Sequence, residues 1–397
     1  MRVPCTRRHF YERGPLRPRR TALVLAASAG ALTLVTACGA ASSGGTGQDA
    51  TTHASNESSA PPRTELIDAI HALRDGSALT TTLSLDTTTQ KILGYSHDGS
   101  SAGLTEKQAN LIATATITVE TTAPAGKTLA DATAADGTPQ GAISVTGAAA
   151  GKTYFTLLVV DQVVYAQLDL QSLLLDATND GEPYSMIVDQ TSTAPAFVKD
   201  FIAGKFVSLP ISTIKSLSDF MQGYLRGADK NHELPSQQEI ADLRQQVLAA
   251  IGGDLTVART ATGDTDSLVV TGNLQNIARD VLSVVASGIP QLKAAIPSDA
   301  ADMVPNLDLK ANASVTGGLL SKLSFDLGQF DPASTMSLPI VATFVPSSPT
   351  ITAPADATPV NLQALLGFAA AAPGGAGAFP VGTPTPLSVP STAASSR

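Results

Sequence analysis

The sequence predicts an α+β fold: an antiparallel β-sheet with helices packed on its apolar face. Three observations carry that reading. Strand signals crowd both ends of the folded part of the chain. Two segments with one-sided apolar stripes at helical spacing fill its middle. The strands near the C-terminal end alternate apolar and polar residues, as a sheet packed on one side only requires.

The chain opens on an export signal. Residues 1–20 carry seven arginines against one acid, Glu12, and residues 21–35 (TALVLAASAGALTLV) carry no charge. A basic start, a short apolar run and a small-residue cleavage site make a secretory signal peptide over residues 1–37. The run is shorter than the roughly 20 residues a spanning helix needs. Thr6-Arg7-Arg8-His9-Phe10 looks like a twin-arginine signal, but Glu12, Pro15 and Pro18 separate it from the apolar run, so the general secretory route is favoured. Val35-Thr36-Ala37-Cys38 resembles the lipobox of bacterial lipoproteins, with Val35 where Leu is commonest. That resemblance implies cleavage before Cys38, a diacylglyceryl group on its sulfur and an acylated amino terminus, with chains such as palmitate. Each buried methylene contributes about 0.8 kcal/mol, so two or three chains anchor firmly. The expected location is the extracytoplasmic face of the bacterial cell membrane, lipid-anchored.

The cysteine count agrees. Cys5 leaves with the signal and Cys38 is consumed by lipid; the chain has two cysteines in all. The mature part therefore has no disulfide, thiol nucleophile or thiolate metal site. Without residues 1–37 the chain keeps 18 basic and 33 acidic side chains, a formal charge of −15. That balance disfavours nucleic acid, which is held by phosphate neutralisation, and disfavours attraction to anionic head groups.

Residues 38–63 read as the lipidated N-terminus and a flexible linker, since 39–63 hold no large apolar side chain. The folded domain is expected over 64–366. Residues 367–397 read as a disordered tail rich in Pro, Gly, Ala and Ser.

The domain opens with a helix, in which Leu66, Ile67, Ile70 and Leu73 form the apolar stripe and Gly76 is the stop. In ALTTTLSLDT, Leu79, Thr81, Leu83 and Leu85 share one face of a strand. The segment 111–122 reads as a strand with Ile117, Val119 and Thr121 together. Residues 141–147 form a short strand, and 154–168 a hairpin turning near Asp161-Gln162. Ser236 and Glu239 make a capping box for a helix with Ile240, Leu243, Val247 and Ile251 on one stripe, ending at Gly252-Gly253. Asn273 caps a second helix with Ile277, Val281, Leu282 and Val285 inward. Strands at 307–315 and 319–327 flank Thr316-Gly317-Gly318, a hairpin turn signal. Leu319, Leu323, Phe325 and Leu327 are expected on one face, with Lys322, Ser324 and Asp326 on the other. Residues 338–345 are the next strand.

No motif makes a catalytic site. Gly147 to Thr153 (GAAAGKT) looks like a phosphate-binding loop but is one residue short, has Thr146 where the first Gly belongs, and leads into a strand rather than a helix N-terminus. A β-turn with an exposed Lys152 accounts for it. Gly99-Ser100-Ser101-Ala102-Gly103 matches GxSxG without the strand before it or a histidine partner. Ser212-Thr213-Ile214-Lys215 matches SxxK, but its companion motifs are absent. No clustered ligand set supports a metal, and no cofactor is implied. Asp299 and Asp302 read as an N-cap and a solvated face.

The order of elements resembles that of the actinobacterial LppX/LprG-like lipoproteins, whose fold is similar to that of the lipoprotein carrier LolA. The points of resemblance are DAIHALRDGSALTTTLSL, the hairpin VVDQVVYAQLD with Tyr165, GKFVSLP at 204–210, and VTGGLLSKLSFDL followed by a strand and TAPADA. The chain departs from the family at Gln162, where Gly is usual, at Phe206, where Trp is usual, and in a longer 90–151 region. The resemblance implies a curved antiparallel sheet, a half-barrel, partly closed by helices. It implies no catalytic residues, hence no enzyme. It implies a space that can hold acyl chains of a lipid or glycolipid. Together with the one-sided stripes it makes Ile240, Leu243, Val247, Ile277, Val281, Leu323 and Phe325 the candidate liners, acting by apolar contact. The expected function is therefore that of a membrane-anchored envelope lipoprotein that binds or carries lipid. The alternative is a non-catalytic cell-surface structural or signalling module with a filled core.

Overall fold

The computed structural model describes residues 60–97, 104–133, 138–178, 180–214, 237–263, 265–289, 296–297, 299–330 and 337–371. The signal peptide, Cys38, most of the linker, the GxSxG match, Ser236 and the tail beyond Ala371 lie outside them. The fold class is the predicted one, α+β with a large open antiparallel sheet. The chain parts into two compact units.

The first unit holds helix α1 (Pro62–Arg74), helices α7 (Gln237–Gly253) and α8 (Leu274–Gly288), and strands β7 (Thr256–Ala261), β8 (Thr265–Asn273), β9 (Asp308–Thr316), β10 (Leu319–Asp326) and β11 (Pro339–Pro346). Its strands lie in the order β11-β10-β9-β8-β7. The predicted turn at Gly317-Gly318 is present, with φ of 58° and 77°, the left-handed pair a two-residue hairpin needs. Asn273 caps α8 as expected, its Oδ1 accepting from the Asn276 backbone N–H at 3.1 Å.

Two details differ from the sequence reading. In α1 the buried stripe is Glu65, Ala69 and Leu73, and Ile67 is 43% exposed. The helix is rotated because Glu65 forms an ion pair with Arg259 of β7, and small Ala69 lets the helix lie close to the sheet. Arg63 adds a second tie, donating to the Gly252 carbonyl at 2.9 Å. That carbonyl stands at the C-terminal end of α7, where a cation is favoured. In β10 a bulge between Leu320 and Lys322 shifts the register. It puts Leu320, rather than Leu319, on the face of Leu323 and Phe325, and Leu320 is buried.

The second unit holds β1 (Ala78–Leu85), α2 (Thr89–His97), α3 (Glu106–Ala113), β2 (Thr116–Thr122), β3 (Ala142–Ala149), β4 (Lys152–Val160), β5 (Val163–Leu168), α4 (Leu170–Thr178), α5 (Glu182–Gln190), α6 (Ala196–Ile202), β6 (Val207–Pro210), β12 (Thr358–Pro359) and α9 (Leu362–Ala371). The strand order is β12-β6-β5-β4-β3-β2-β1. All pairs are antiparallel except the short β12, which runs parallel to β6.

Residues 111–113, read as the start of a strand, end helix α3 instead. A capping box explains it: the Gln108 backbone N–H donates to Thr105 Oγ1 and the Thr105 N–H to Gln108 Oε1, which starts a helix at this point. Asp161 and Gln162 turn the β4–β5 hairpin with φ of 50° and 65°, so Gln162 fills a left-handed position without Gly. Helix α1 begins at Pro62, and α9 runs to Ala371.

Candidate functional site

Paired residues in a ladder point to the same side, and residues two apart share a face. Applied to the second unit, this rule separates the β1–β6 sheet into two unlike faces. One row runs Leu79, Thr121, Ile143, Val159, Val164, Leu209. The next runs Thr81, Val119, Val145, Leu157, Ala166, Val207. A third runs Leu83, Ile117, Gly147, Phe155, Leu168. Apart from two threonines this face is apolar. Phe155 lies over Gly147, where an added Cβ would come within 1.9 Å of the ring. The opposite face carries Thr80, Glu120, Ser144, Leu158, Tyr165 and Ser208 in one row and Thr82, Thr118, Thr146, Thr156 and Gln167 in the next, so it is mostly polar.

The apolar face is unevenly covered. Leu79, Val159, Leu83 and Gly147 are buried in the outer rows. All six members of the central row, from Thr81 to Val207, are only half-buried. At about 4.8 Å per strand, that row is about 24 Å wide.

The first unit has a smaller version of the same face. Leu268, Ala313, Leu323 and Ala342 lie in register across β8 to β11. Leu268, Ala313 and Ala342 are buried, and α1 packs against β7, β9 and β10. One step along, Val257, Val270, Ala311, Phe325 and Ile340 form a row that is half-buried throughout.

Against this geometry the predicted liners separate. Leu323 and Phe325 are on the apolar face as expected, both half-buried, and the Phe325 ring meets Phe330 at 5.7 Å in a tilted pair. Leu243 reaches Gly288 of α8 and Ile277 reaches Gly272 of β8; a Cβ at either glycine would come within 2.6 Å or 3.0 Å of those side chains. Leu243 and Ile277 thus serve close packing among α7, α8 and β8. Val247 and Val281 are half-buried. The side chain of Ile240 lies outside what the structure describes. The broad β1–β6 face contains none of these residues, although the sequence pattern places its β1 and β2 members on common faces.

The second unit also carries a polar cluster around the buried Asp176. Asp176 of α4 accepts from Lys152 Nζ at 2.7 Å and Tyr154 OH at 3.0 Å, both at Oδ2, while Lys107 Nζ lies 3.3 Å from Oδ1. The Lys152 bond, outweighing the cost of burial, holds Asp176 down at about 2. Burial, and then the bond to Asp176, push Tyr154 up to about 12. The lysine of the GAAAGKT stretch is therefore tied to Asp176 between β4 and helices α3 and α4. Ala150 and Gly151, with φ of 50° and 77°, form the turn before it. Asp302 pairs loosely with Arg279 at 3.6 Å, and Asp299 turns the chain through its carbonyl.

Among the described residues no group of three or more His, Cys, Asp or Glu is placed to hold a metal. No described helix is long and apolar enough to cross a membrane. No family model matches the chain, nor does any curated protein. Similar solved structures include LprF from Mycobacterium bovis, with a TM-score of 0.28 and 12% identity over 75% of this chain and 97% of that one. The lipoprotein LppX of Mycobacterium tuberculosis gives a TM-score of 0.27 and 10% identity over 73% and 97%. Both are of the LppX/LprG kind that the sequence resembles. At this overlap neither transfers a residue or a ligand to this chain.

Proposed function

We propose that this chain is a non-catalytic envelope lipoprotein, anchored through Cys38 to the outer face of the cell membrane, that holds the acyl chains of a lipid against its half-covered apolar sheet faces. The observation that carries the reading is the central row of the β1–β6 face. Six side chains in register, four of them Val or Leu, are neither buried in a core nor turned to the polar side. Burial of such a face by an acyl chain contributes about 25 cal/mol per Å² of apolar area, and the width of the row is of the order of an extended acyl chain. The half-buried row through Val270 and Phe325 is a second, smaller place for the same kind of contact.

The test uses the full chain with Cys38→Ser, so that its own lipid does not interfere. A fluorescent fatty acid should bind it and be displaced by unlabelled lipid. Leu157→Trp, which fills the central row, should weaken binding about tenfold or more while leaving the far-ultraviolet circular dichroism unchanged. Absence of binding by the parent chain would refute the reading and leave the filled-core surface module.

A further inference from the structure

The central row of the β1–β6 face does not stop at Val207. Strand β12 lies beside β6 with Thr358 in register with Val207, so the apolar row ends on a hydroxyl. Thr358 Oγ1 donates to Asp200 Oδ2 at 2.8 Å. Asp200 lies near the end of α6, which packs against β5, β6 and β12. Its other oxygen accepts from Lys205 Nζ at 2.9 Å. The Asp200 side chain is 25% exposed and that of Lys205 62%. A carboxylate, an ammonium and a hydroxyl thus meet at one end of a row of half-buried apolar side chains, all within reach from outside.

We propose that Asp200 and Lys205 receive the polar end of the bound lipid, and that this end is uncharged and hydroxylated, a glycerol or a sugar. The inference rests on the acyl-chain reading above. Its chemistry follows from the pair. A carboxylate only accepts hydrogen bonds and an ammonium only donates them. A hydroxyl does both, so one hydroxyl, or two on neighbouring carbons, can bridge Asp200 and Lys205. A phosphate or free carboxylate would meet Lys205 alone and be set against the Asp200 charge, so it fits the pair less well. The pair is neutral as a whole, and Asp356 adds further negative charge near Lys205. The Lys205 bond, followed by the Thr358 bond, lowers the Asp200 pKa.

The experiment measures extraction of four labelled lipids with identical acyl chains from phosphatidylcholine vesicles by the full chain carrying Cys38→Ser. The lipids are a diacylglycerol, a monohexosyl diacylglycerol, a triacylglycerol and a phosphatidic acid. The two hydroxylated neutral lipids should be taken up about tenfold better than the other two, the size of a charge-assisted hydrogen bond. Preference between those two separates a sugar from a glycerol. Asp200→Asn keeps the partner of Thr358 and should fold; it should bring the hydroxylated lipids down to the level of triacylglycerol and leave triacylglycerol unchanged. Lys205→Met should act in the same direction. Equal uptake of all four lipids, or variants that lower all four alike, would overturn the assignment while the acyl-chain reading stands. If the parent chain takes up none of the four, both fall together.

Discussion

The β8–β11 face of the first unit and the β1–β6 face of the second are built from the same side chains but covered differently. In the first, α1 packs against β7, β9 and β10, and Leu268, Ala313 and Ala342 are 0%, 2% and 5% exposed. In the second, no member of the central row is buried. An alternating apolar strand pattern specifies that a face will leave water; it does not specify what will cover it. Where a helix with a small residue at the contact lies down, as with Ala69 of α1, the face becomes core. Where the helix contact is confined to one end, as with α6 against β5, β6 and β12, the row stays half-buried and available to a ligand.

That difference has a direct energetic expression. Leu268→Ala should cost about 2–5 kcal/mol in urea unfolding, the range for a fully buried leucine. Leu157→Ala on the half-covered row should cost less than half as much. Equal losses at the two positions would mean that both faces are core.

The ion pairs of the two units sharpen the contrast. Glu65 and Arg259 are joined beneath α1, yet Glu65 Oε1 and Arg259 Nε are buried without a partner. The Asp176 carboxylate, by comparison, has Lys152, Tyr154 and Lys107 around it. Replacing Glu65 alone with Ala should lower the melting temperature, because it strands the arginine. The double change Glu65→Leu with Arg259→Met should restore or exceed the original value, as apolar replacements of incompletely bonded buried pairs do. A double variant less stable than either single would contradict this.

Asp176 gives the smaller, pH-dependent effect. Its folded pKa is depressed, so the stability it contributes is present above the unfolded value near 4 and is lost as pH falls toward about 2. With its lysines largely exposed, the contribution at neutral pH should be about 1–2 kcal/mol. Asp176→Asn should flatten the stability curve between pH 4 and 2 and leave its shape above pH 5 unchanged.

Much of this fold was legible in the sequence. The helices at α7 and α8, the Asn273 cap, and the hairpins at Asp161-Gln162 and Gly317-Gly318 follow from apolar spacing, capping chemistry and turn residues. Local patterns could not anticipate what distant partners decide. Glu65 is polar in sequence and buried in the fold because Arg259, far along the chain, is there to meet it. Leu320 replaces Leu319 on the apolar face because of a one-residue bulge, and strict alternation carries no sign of it. Helices α4 to α6 and the β7–β8 hairpin went unread. The candidate site suffered in the same way. Strand β4 is nearly continuous in apolar residues, so only its register with β3 and β5 shows that Leu157 belongs to the half-covered face and Leu158 to the other.

The most direct measurement is native mass spectrometry of the full chain with Cys38→Ser, purified from a lipid-containing host, beside its Leu157→Trp variant. Acyl-chain binding predicts a population of the parent chain heavier by the mass of a lipid, and loss of that population in the variant. A parent chain found only at its own mass, or a lipid adduct undiminished by Leu157→Trp, would contradict the β1–β6 face as the place where lipid is held.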